Sequence, residues 1–164
     1  MKTQRNVTKS SAFPTSHIRW MIRRDMEEVL AIESASFDAA WTEEDFLRSL
    51  SQRNCIGMVV ERGETVHGFM IYELYEHHLH LLNFAVDVRH RRCGLGSLML
   101  ERLKSKLSNQ HRTRITANVR ESNLAAQKFF AACGFIATGV ERGFYDDTNE
   151  DAYRFEHRFA TEAA

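Results

Sequence analysis

The stretch RHRRCGLG at residues 89–96 has the residue types and spacing that say most about chemistry. It follows the apolar run NFAVDV and precedes leucines near helical spacing, so we expect a strand, a tight turn and a helix. Backbone amides at the start of such a helix are unpaired, and together with the helix dipole they bind phosphate oxygens. Gly94 and Gly96 would let a diphosphate approach the backbone closely. Three arginines would add positive charge at the rim: Arg89, Arg91 and Arg92.

Two other phosphate-binding loops are excluded by spacing. The turn has no Gly-Lys-Ser/Thr sequence of a nucleoside triphosphatase, and no third glycine or later acidic residue of a dinucleotide site. A glycine turn of this kind can also be no more than a tight connection between a strand and a helix.

Apolar periodicity predicts the elements that must position this turn. We expect a first strand over 18–23, a helix capped by Asp25, and a second helix with a capping box formed by Thr42 and Asp45. The runs CIGMVVE, VHGFMIYELY and LHLLNFAVDV then read as consecutive antiparallel strands. The helix that follows the basic turn is expected to end near Ser108.

The C-terminal third predicts further elements. RITANV at 114–119 is a strand, and SNLAAQKFFAAC is a helix capped by Ser122 or Asn123 and closed by a left-handed Gly134. Two last strands follow, FIATGVE and DAYRFEHRF. The order predicts one α/β (α+β) domain with a mixed, mostly antiparallel sheet of six to seven strands and about four helices.

Two segments carry a resemblance to a known family. RRCGLG resembles the Arg/Gln-x-x-Gly-x-Gly/Ala acetyl-CoA loop of the GNAT superfamily of N-acetyltransferases, and it follows a strand as that family requires. NVRESNLAAQKFFAACGF resembles the second CoA-side segment of the same family. The group most similar in motif order is that of the ribosomal-protein alanine acetyltransferases, through FDAAWTEEDF, VRESNLAA and GFYDDTNEDAYRF. The resemblance covers about residues 18–159.

The resemblance implies acetyl-CoA as the cofactor, held between a splayed central pair of strands. The strand with residues 84–86 would diverge from the strand with residues 115–119, and the pantetheine arm would enter the gap as an added pseudo-strand. The turn would bind the pyrophosphate, and the adjoining strand would contact pantetheine through its main chain. The implied cofactor-binding residues are Phe84, Ala85, Val86, Arg91, Arg92, Cys93, Gly94, Leu95, Gly96, Ser97 and Asn123.

The resemblance also shows where catalysis departs from the group. Asn118 stands where the group has a glutamate and Phe130 where it has a tyrosine, and neither side chain titrates. Attack of an amine on a thioester needs orientation, an oxyanion donor and a proton acceptor. His90 and Tyr145 are therefore predicted catalytic residues beside Asn118, and Glu73 is a weaker candidate. Phe129 and Phe130 are expected to fill core.

The absence of a titratable side chain at positions 118 and 130 favours one type of acceptor amine. An α-amine is roughly a tenth neutral at pH 7, whereas a lysine amine is neutral only at about 0.04%. We therefore expect direct acetyl transfer to a primary amine, foremost a protein N-terminal α-amine, with Phe37, Trp41 and Tyr145 lining a small peptide entrance. Trp41 can instead be a hydrophobic staple for the second helix. A small-molecule amine acceptor, or an acyl-CoA-binding sensor without catalysis, remain alternatives.

Composition limits partners and location. The 164 residues contain 22 Lys and Arg against 22 Asp and Glu, so neither nucleic acid nor a membrane is an expected partner. Three cysteines without a CxxC pair predict a reducing, cytoplasmic setting. The HHLH run at 77–80 lacks ligand spacing, so no metal is expected. Residues 1–17 read as a flexible tail and 18–160 as the acetyltransferase domain, and the oligomeric state is left open.

Overall fold

The computed structural model describes residues 15–160. The first strand begins at Ser16, two residues before the predicted start of the domain, and it ends at Trp20 rather than at residue 23. The rest of the predicted tail, residues 1–14, lies outside the described residues. Asp25 explains the early end, because its carboxylate accepts hydrogen bonds from Ile22 N at 2.8 Å and from the Arg19 guanidinium at 2.7 and 2.8 Å. Asp25 is thus not the side-chain cap of the first helix that the sequence predicts.

One seven-stranded sheet organises the chain, in the order β1-β2-β3-β4-β5-β7-β6. Neighbouring strands are antiparallel except β4 and β5, which are parallel. The predicted fold class is therefore confirmed. The strands are β1 Ser16–Trp20, β2 Cys55–Arg62, β3 Thr65–Leu74, β4 His78–Val86, β5 Arg114–Arg120, β6 Ile136–Tyr145 and β7 Glu150–Arg158. The helices are α1 Met26–Ser36, α2 Glu43–Leu50, α3 Leu95–Lys104 and α4 Leu124–Ala132.

Local sequence signals explain where several helices begin and end. Thr42 and Asp45 form the predicted capping box of α2, and the rings of Trp41 and Phe46 meet edge to face at 5.2 Å as a hydrophobic staple. α3 ends at Lys104, four residues before the predicted end. The backbone then tightens into turn bonds, with Lys106 N donating to Leu103 O and Leu107 N donating to Lys104 O.

The helices divide between the two faces of the sheet. α1 and α2 pack on one face, around buried side chains that include Val29, Phe46 and Phe69. α3 and α4 pack on the other face, around a cluster that includes Met99 and Phe130.

Among residues 15–160, no helix is long and apolar enough to cross a membrane.

β4 and β5 diverge in the middle of the sheet. They pair only from His78 opposite Arg114 to Leu81 opposite Ala117. β4 also carries a bulge against β3 at this point, because Leu81 and Asn83 face consecutive β3 residues and Leu82 has no partner. A bulge bends the strand that contains it. The bend therefore coincides with the opening of the β4–β5 gap, which is the predicted splayed pair.

Candidate active site

The turn between β4 and α3 offers a row of free amides. In the part of the chain that the structure describes, the amides of residues 91–97 donate no hydrogen bond, and Leu98 N is the first to bond, to Gly94 O at 3.0 Å. Arg92 and Gly94 both adopt positive φ, at 62° and 80°, which turns successive amides toward one side. This geometry fits a phosphate group of CoA by its donors and by the dipole of α3.

Each glycine of the turn has a structural reason of its own. Gly94 has a left-handed φ that other residues adopt only with strain. A Cβ atom at Gly96 would lie 2.9 Å from the ring of Phe129, so glycine there permits α3 and α4 to pack closely. The close approach of a diphosphate, expected from both glycines, stays a prediction. Gly134 has the predicted left-handed conformation, with φ 84°.

Arg91 is exposed, and two hydrogen bonds tie its side chain to neighbouring elements. Its Nε donates to Val86 O at 3.1 Å, and its Nη2 donates to Ser36 Oγ at the end of α1, at 3.0 Å. Arg89 pairs with Asp87 at 2.9 Å and holds the pKa of that carboxyl down, to about 2. Arg91 thereby connects the turn, the end of β4 and α1.

Asn118 is the first β5 residue beyond the paired part of the β4–β5 gap. Its Oδ1 is buried and has no hydrogen-bond partner among the described residues. Buried polar atoms are normally satisfied, so an orphaned acceptor at the mouth of a gap suits an N–H donor from a ligand. Asn118 shares the α1/α2 face of the sheet with Thr116, since side chains alternate along a strand.

His80 is a titratable neighbour of Asn118 that the sequence prediction missed. It lies opposite Thr116, and its Nδ1 is 2.7 Å from Thr116 Oγ1. Burial, the largest effect, lowers the pKa of His80, so the imidazole is neutral at pH 7. Strand alternation could have found it, because Leu79 and Leu81 on either side belong to the opposite core.

His90 lies apart from these two residues. Its ring meets the ring of His67 on β3 at a centroid distance of 3.9 Å, and its Nδ1 is 3.7 Å from Asp87 Oδ2. β3 borders β4 on the side away from β5. The structure therefore does not bring His90 together with Asn118, and its catalytic role remains only a prediction.

Tyr145 ends β6, and its ring is held by Arg120 of β5. The guanidinium carbon of Arg120 is 3.9 Å from the ring centroid, and burial raises the pKa of the Tyr145 phenol. Arg120 also donates to both carboxylate oxygens of Asp147, at 2.9 and 3.0 Å, and to Thr148 Oγ1 at 3.0 Å. These bonds fix the β6–β7 hairpin against β5.

The remaining predicted site residues have structural contacts. Asn123 caps α4, with its Oδ1 accepting from Ala126 N at 3.1 Å. Phe130 is buried and Phe129 packs beside it, which confirms both as core. Glu73, opposite His80, accepts a hydrogen bond from Tyr75 OH at 2.7 Å.

Within residues 15–160, no three His, Cys, Asp or Glu side chains are grouped so as to hold a metal ion.

Comparison with known proteins decides the family. The profile of the acetyltransferase (GNAT) family matches residues 26–135. The chain belongs to this family. Its activity is accordingly that of an acetyl-CoA-dependent N-acetyltransferase.

Individual GNAT proteins resemble this chain over most of its length. The [ribosomal protein bS18]-alanine N-acetyltransferase of Escherichia coli K12 is 28% identical over 130 residues, 78% of this chain and 87% of that protein. A putative [ribosomal protein bS18]-alanine N-acetyltransferase of Bacillus subtilis 168 is 25% identical over 136 residues, covering 82% and 90%. The crystal structure of the ribosomal-protein-S18-alanine N-acetyltransferase from Escherichia coli has the same fold, with a TM-score of 0.79, 24% identity, and coverage of 91% and 97%.

Proposed function

We propose that this GNAT protein acetylates the α-amine of a protein N-terminus. The observation that carries the proposal is the site beside the β4–β5 gap, where a neutral His80 and an orphaned Asn118 oxygen lie on one face and no carboxylate occupies the group's glutamate position. Imidazole is a weak base that suits an amine already partly neutral at pH 7. The names of the bacterial relatives support the same acceptor class.

Residues of the turn would bind the cofactor, and residues beside the gap would carry out the acetyl transfer. Acetyl-CoA supplies an acetyl thioester when bound. The free amides of residues 92–97 hold its diphosphate, and the main chain of residues 84–86 lines the gap. Asn118 Oδ1 accepts an N–H of the acceptor amine and so orients its lone pair, while His80 takes up the proton, directly or through a water molecule. The C–S bond of the thioester would break as the amide bond forms, and Tyr145, kept protonated by burial, would donate to the departing CoA thiolate or line the peptide entrance.

A panel of acceptors tests this function. Thiol release from acetyl-CoA is measured with peptides that begin with Ala or Ser, with the same peptides blocked at the α-amine but carrying an internal lysine, and with spermidine. We expect turnover on the free α-amine peptides, at least a hundredfold above the blocked ones. Turnover restricted to spermidine would favour a small-molecule amine acetyltransferase. A CoA-induced rise in melting temperature without turnover on any amine would favour a sensor.

We also propose a cytoplasmic setting, which three free cysteines support: Cys55, Cys93 and Cys133.

A further inference from the structure

The connection between α1 and α2, residues 37–42, lies on the same side of the sheet as His80 and Asn118. Cys55, which packs with the α1/α2 core, is in register with Glu73, then His80, across β2, β3 and β4. Side chains in register across a sheet point to the same face. The segment 37–42, which includes Trp41, therefore stands on the side where an acceptor would meet the thioester, and we call it the acceptor-side segment.

A buried carboxylate ties this segment to the splayed strand. Glu33 of α1 is only 2% exposed. Its Oε1 accepts a hydrogen bond from Trp41 N at 2.8 Å, and its Oε2 accepts one from Asn83 Nδ2 at 3.0 Å. Asn83 follows the bulge of β4 and lies beyond Leu81, the last β4 residue that pairs with β5. One side chain thus joins the acceptor-side segment to the strand that borders the gap.

Burying the Glu33 carboxylate costs free energy, which argues that the carboxylate has a specific role at this position. Burial raises the pKa of Glu33, the signature of a carboxylate kept away from water. A buried carboxylate persists only where hydrogen bonds satisfy it. A second hydrogen bond joins the cofactor turn to the end of α1. Arg91 of the turn donates to Ser36, next to the start of the acceptor-side segment.

We propose that Glu33 and Asn83 are positioning residues that set the acceptor amine against the thioester, by fixing Trp41 and the acceptor-side segment to β4. The inference rests on the proposed function, since it assumes that the acceptor enters beside this segment. Neither residue touches the reacting atoms. Misplacement of an acceptor by about 1 Å costs on the order of 100-fold in rate. Loss of the tie should therefore lower kcat/KM for the acceptor and leave KM for acetyl-CoA nearly unchanged.

Reversing the polarity of the Glu33–Asn83 pair tests the proposal. N83D removes the amide donor and sets a second carboxyl group against Glu33. At alkaline assay pH, where the pair least retains a shared proton, we expect it to lower acceptor kcat/KM by about 10- to 100-fold. E33Q/N83D exchanges donor and acceptor, since the introduced amide can donate to the introduced carboxylate and still accept from Trp41 N, and it should restore most of the activity. Glu28→Ala is the matched control. It removes the α1 carboxylate that accepts from Val66 N at 3.0 Å, away from the acceptor-side segment, and should leave acceptor kcat/KM unchanged.

A readout independent of catalysis separates the two proposals. Hydrogen exchange of the Trp41 amide should accelerate in N83D and return toward the wild-type rate in E33Q/N83D. Wild-type protein that acetylates no peptide N-terminus would overturn the proposed function, and kinetics on whichever amine it does accept would then test the positioning. The positioning role would be overturned if E33Q/N83D restored neither the exchange rate of the Trp41 amide nor acceptor kcat/KM. It would also be overturned if KM for acetyl-CoA in N83D rose by as large a factor as acceptor kcat/KM fell.

Discussion

Nδ1 of His80 lies 2.7 Å from the hydroxyl oxygen of Thr116, one residue before the last paired position of β4 and β5. The contact assigns one ring nitrogen to Thr116, and Nε2 has no hydrogen-bond partner among residues 15–160. In the tautomer whose Nδ1–H donates to Thr116 Oγ1, Nε2 carries no proton. Because burial lowers the pKa of His80, Nε2 in that tautomer is available as a proton acceptor at neutral pH.

Replacing His80 tests the proton acceptor. We expect His80→Gln to lower kcat by about 10²- to 10⁴-fold, the usual contribution of general base catalysis, with little change in CoA affinity. The acid limb of the pH profile of kcat/KM should lie below the ordinary histidine pKa of about 6.5 and disappear in the variant. Steady-state kinetics and calorimetry with CoA measure both effects.

His77→Gln serves as the control for that experiment, because His77 is an exposed residue of the same strand-and-turn region. His90→Gln examines the assignment made from the sequence. A loss of kcat in His90→Gln, with normal turnover in His80→Gln, would return the catalytic role to His90.

Alanine substitutions at the two glycines of the cofactor turn should affect different properties of the protein. Gly94→Ala forces a Cβ residue to φ 80°, which costs about 1 kcal/mol, and we expect it to weaken CoA binding with little change in packing. Gly96→Ala places its Cβ against Phe129 and should destabilise the fold by about 1 to 3 kcal/mol. Urea unfolding and CoA titration distinguish the two.

Relief of the Gly96 clash provides an internal check. Phe129→Leu in the Gly96→Ala background removes the ring that the new methyl meets, and should recover part of the lost stability. If the second substitution only adds to the loss, packing between α3 and α4 is not the reason for glycine at this position.

Arg120 should matter more to the acceptor than to the cofactor. Arg120→Met keeps most of the side-chain volume but loses the bonds to Asp147 and Thr148 and the stacking on Tyr145. We expect acceptor KM to rise several-fold and stability to fall by about 1 kcal/mol, because the ion pair is partly exposed. KM for acetyl-CoA should stay within twofold.

Arg142→Met is the matched substitution in the same hairpin, since Arg142, whose own side chain is largely exposed, pairs with Asp151 at 2.7 Å. It should change neither KM nor stability measurably. Equal effects of the two substitutions would mean that Arg120 does not fix Tyr145 for acceptor binding.

Stability should fall as the pH drops below 7. Burial lowers the pKa of His67, His78 and His80 in the folded protein, so the unfolded chain takes up protons first, near pH 6.5, and unfolding becomes easier. Glu33 acts in the opposite direction, because its raised pKa makes protonation favour the folded state. Urea midpoints between pH 8 and 5.5 measure the sum.

The difference between wild type and His80→Gln at each pH isolates one imidazole. The variant should lose less stability than wild type as the pH falls from 8 to 5.5. Parallel curves for the two proteins would show that His80 titrates alike in the folded and unfolded chains.

The sequence by itself determined the elements, the order of motifs and the cofactor turn. Local chemistry sets these features. Thr42 and Asp45 cap α2 whatever lies elsewhere, and the glycines and free amides of residues 91–97 follow from a strand that turns directly into a helix.

Only the tertiary structure decided which side chains meet. Asp25 lost its predicted capping role because Arg19, on another element, competes for its carboxylate. The bulge at Leu82 fixes where β4 leaves β5, and Glu33 meets Asn83 across 50 residues of chain. His90 adjoins the cofactor turn in sequence, yet it packs on His67 of β3, whereas His80 reaches the neighbourhood of Asn118 through pairing of distant strands. Strand register between remote segments is a property of the whole sheet, and spacing along one strand does not encode it.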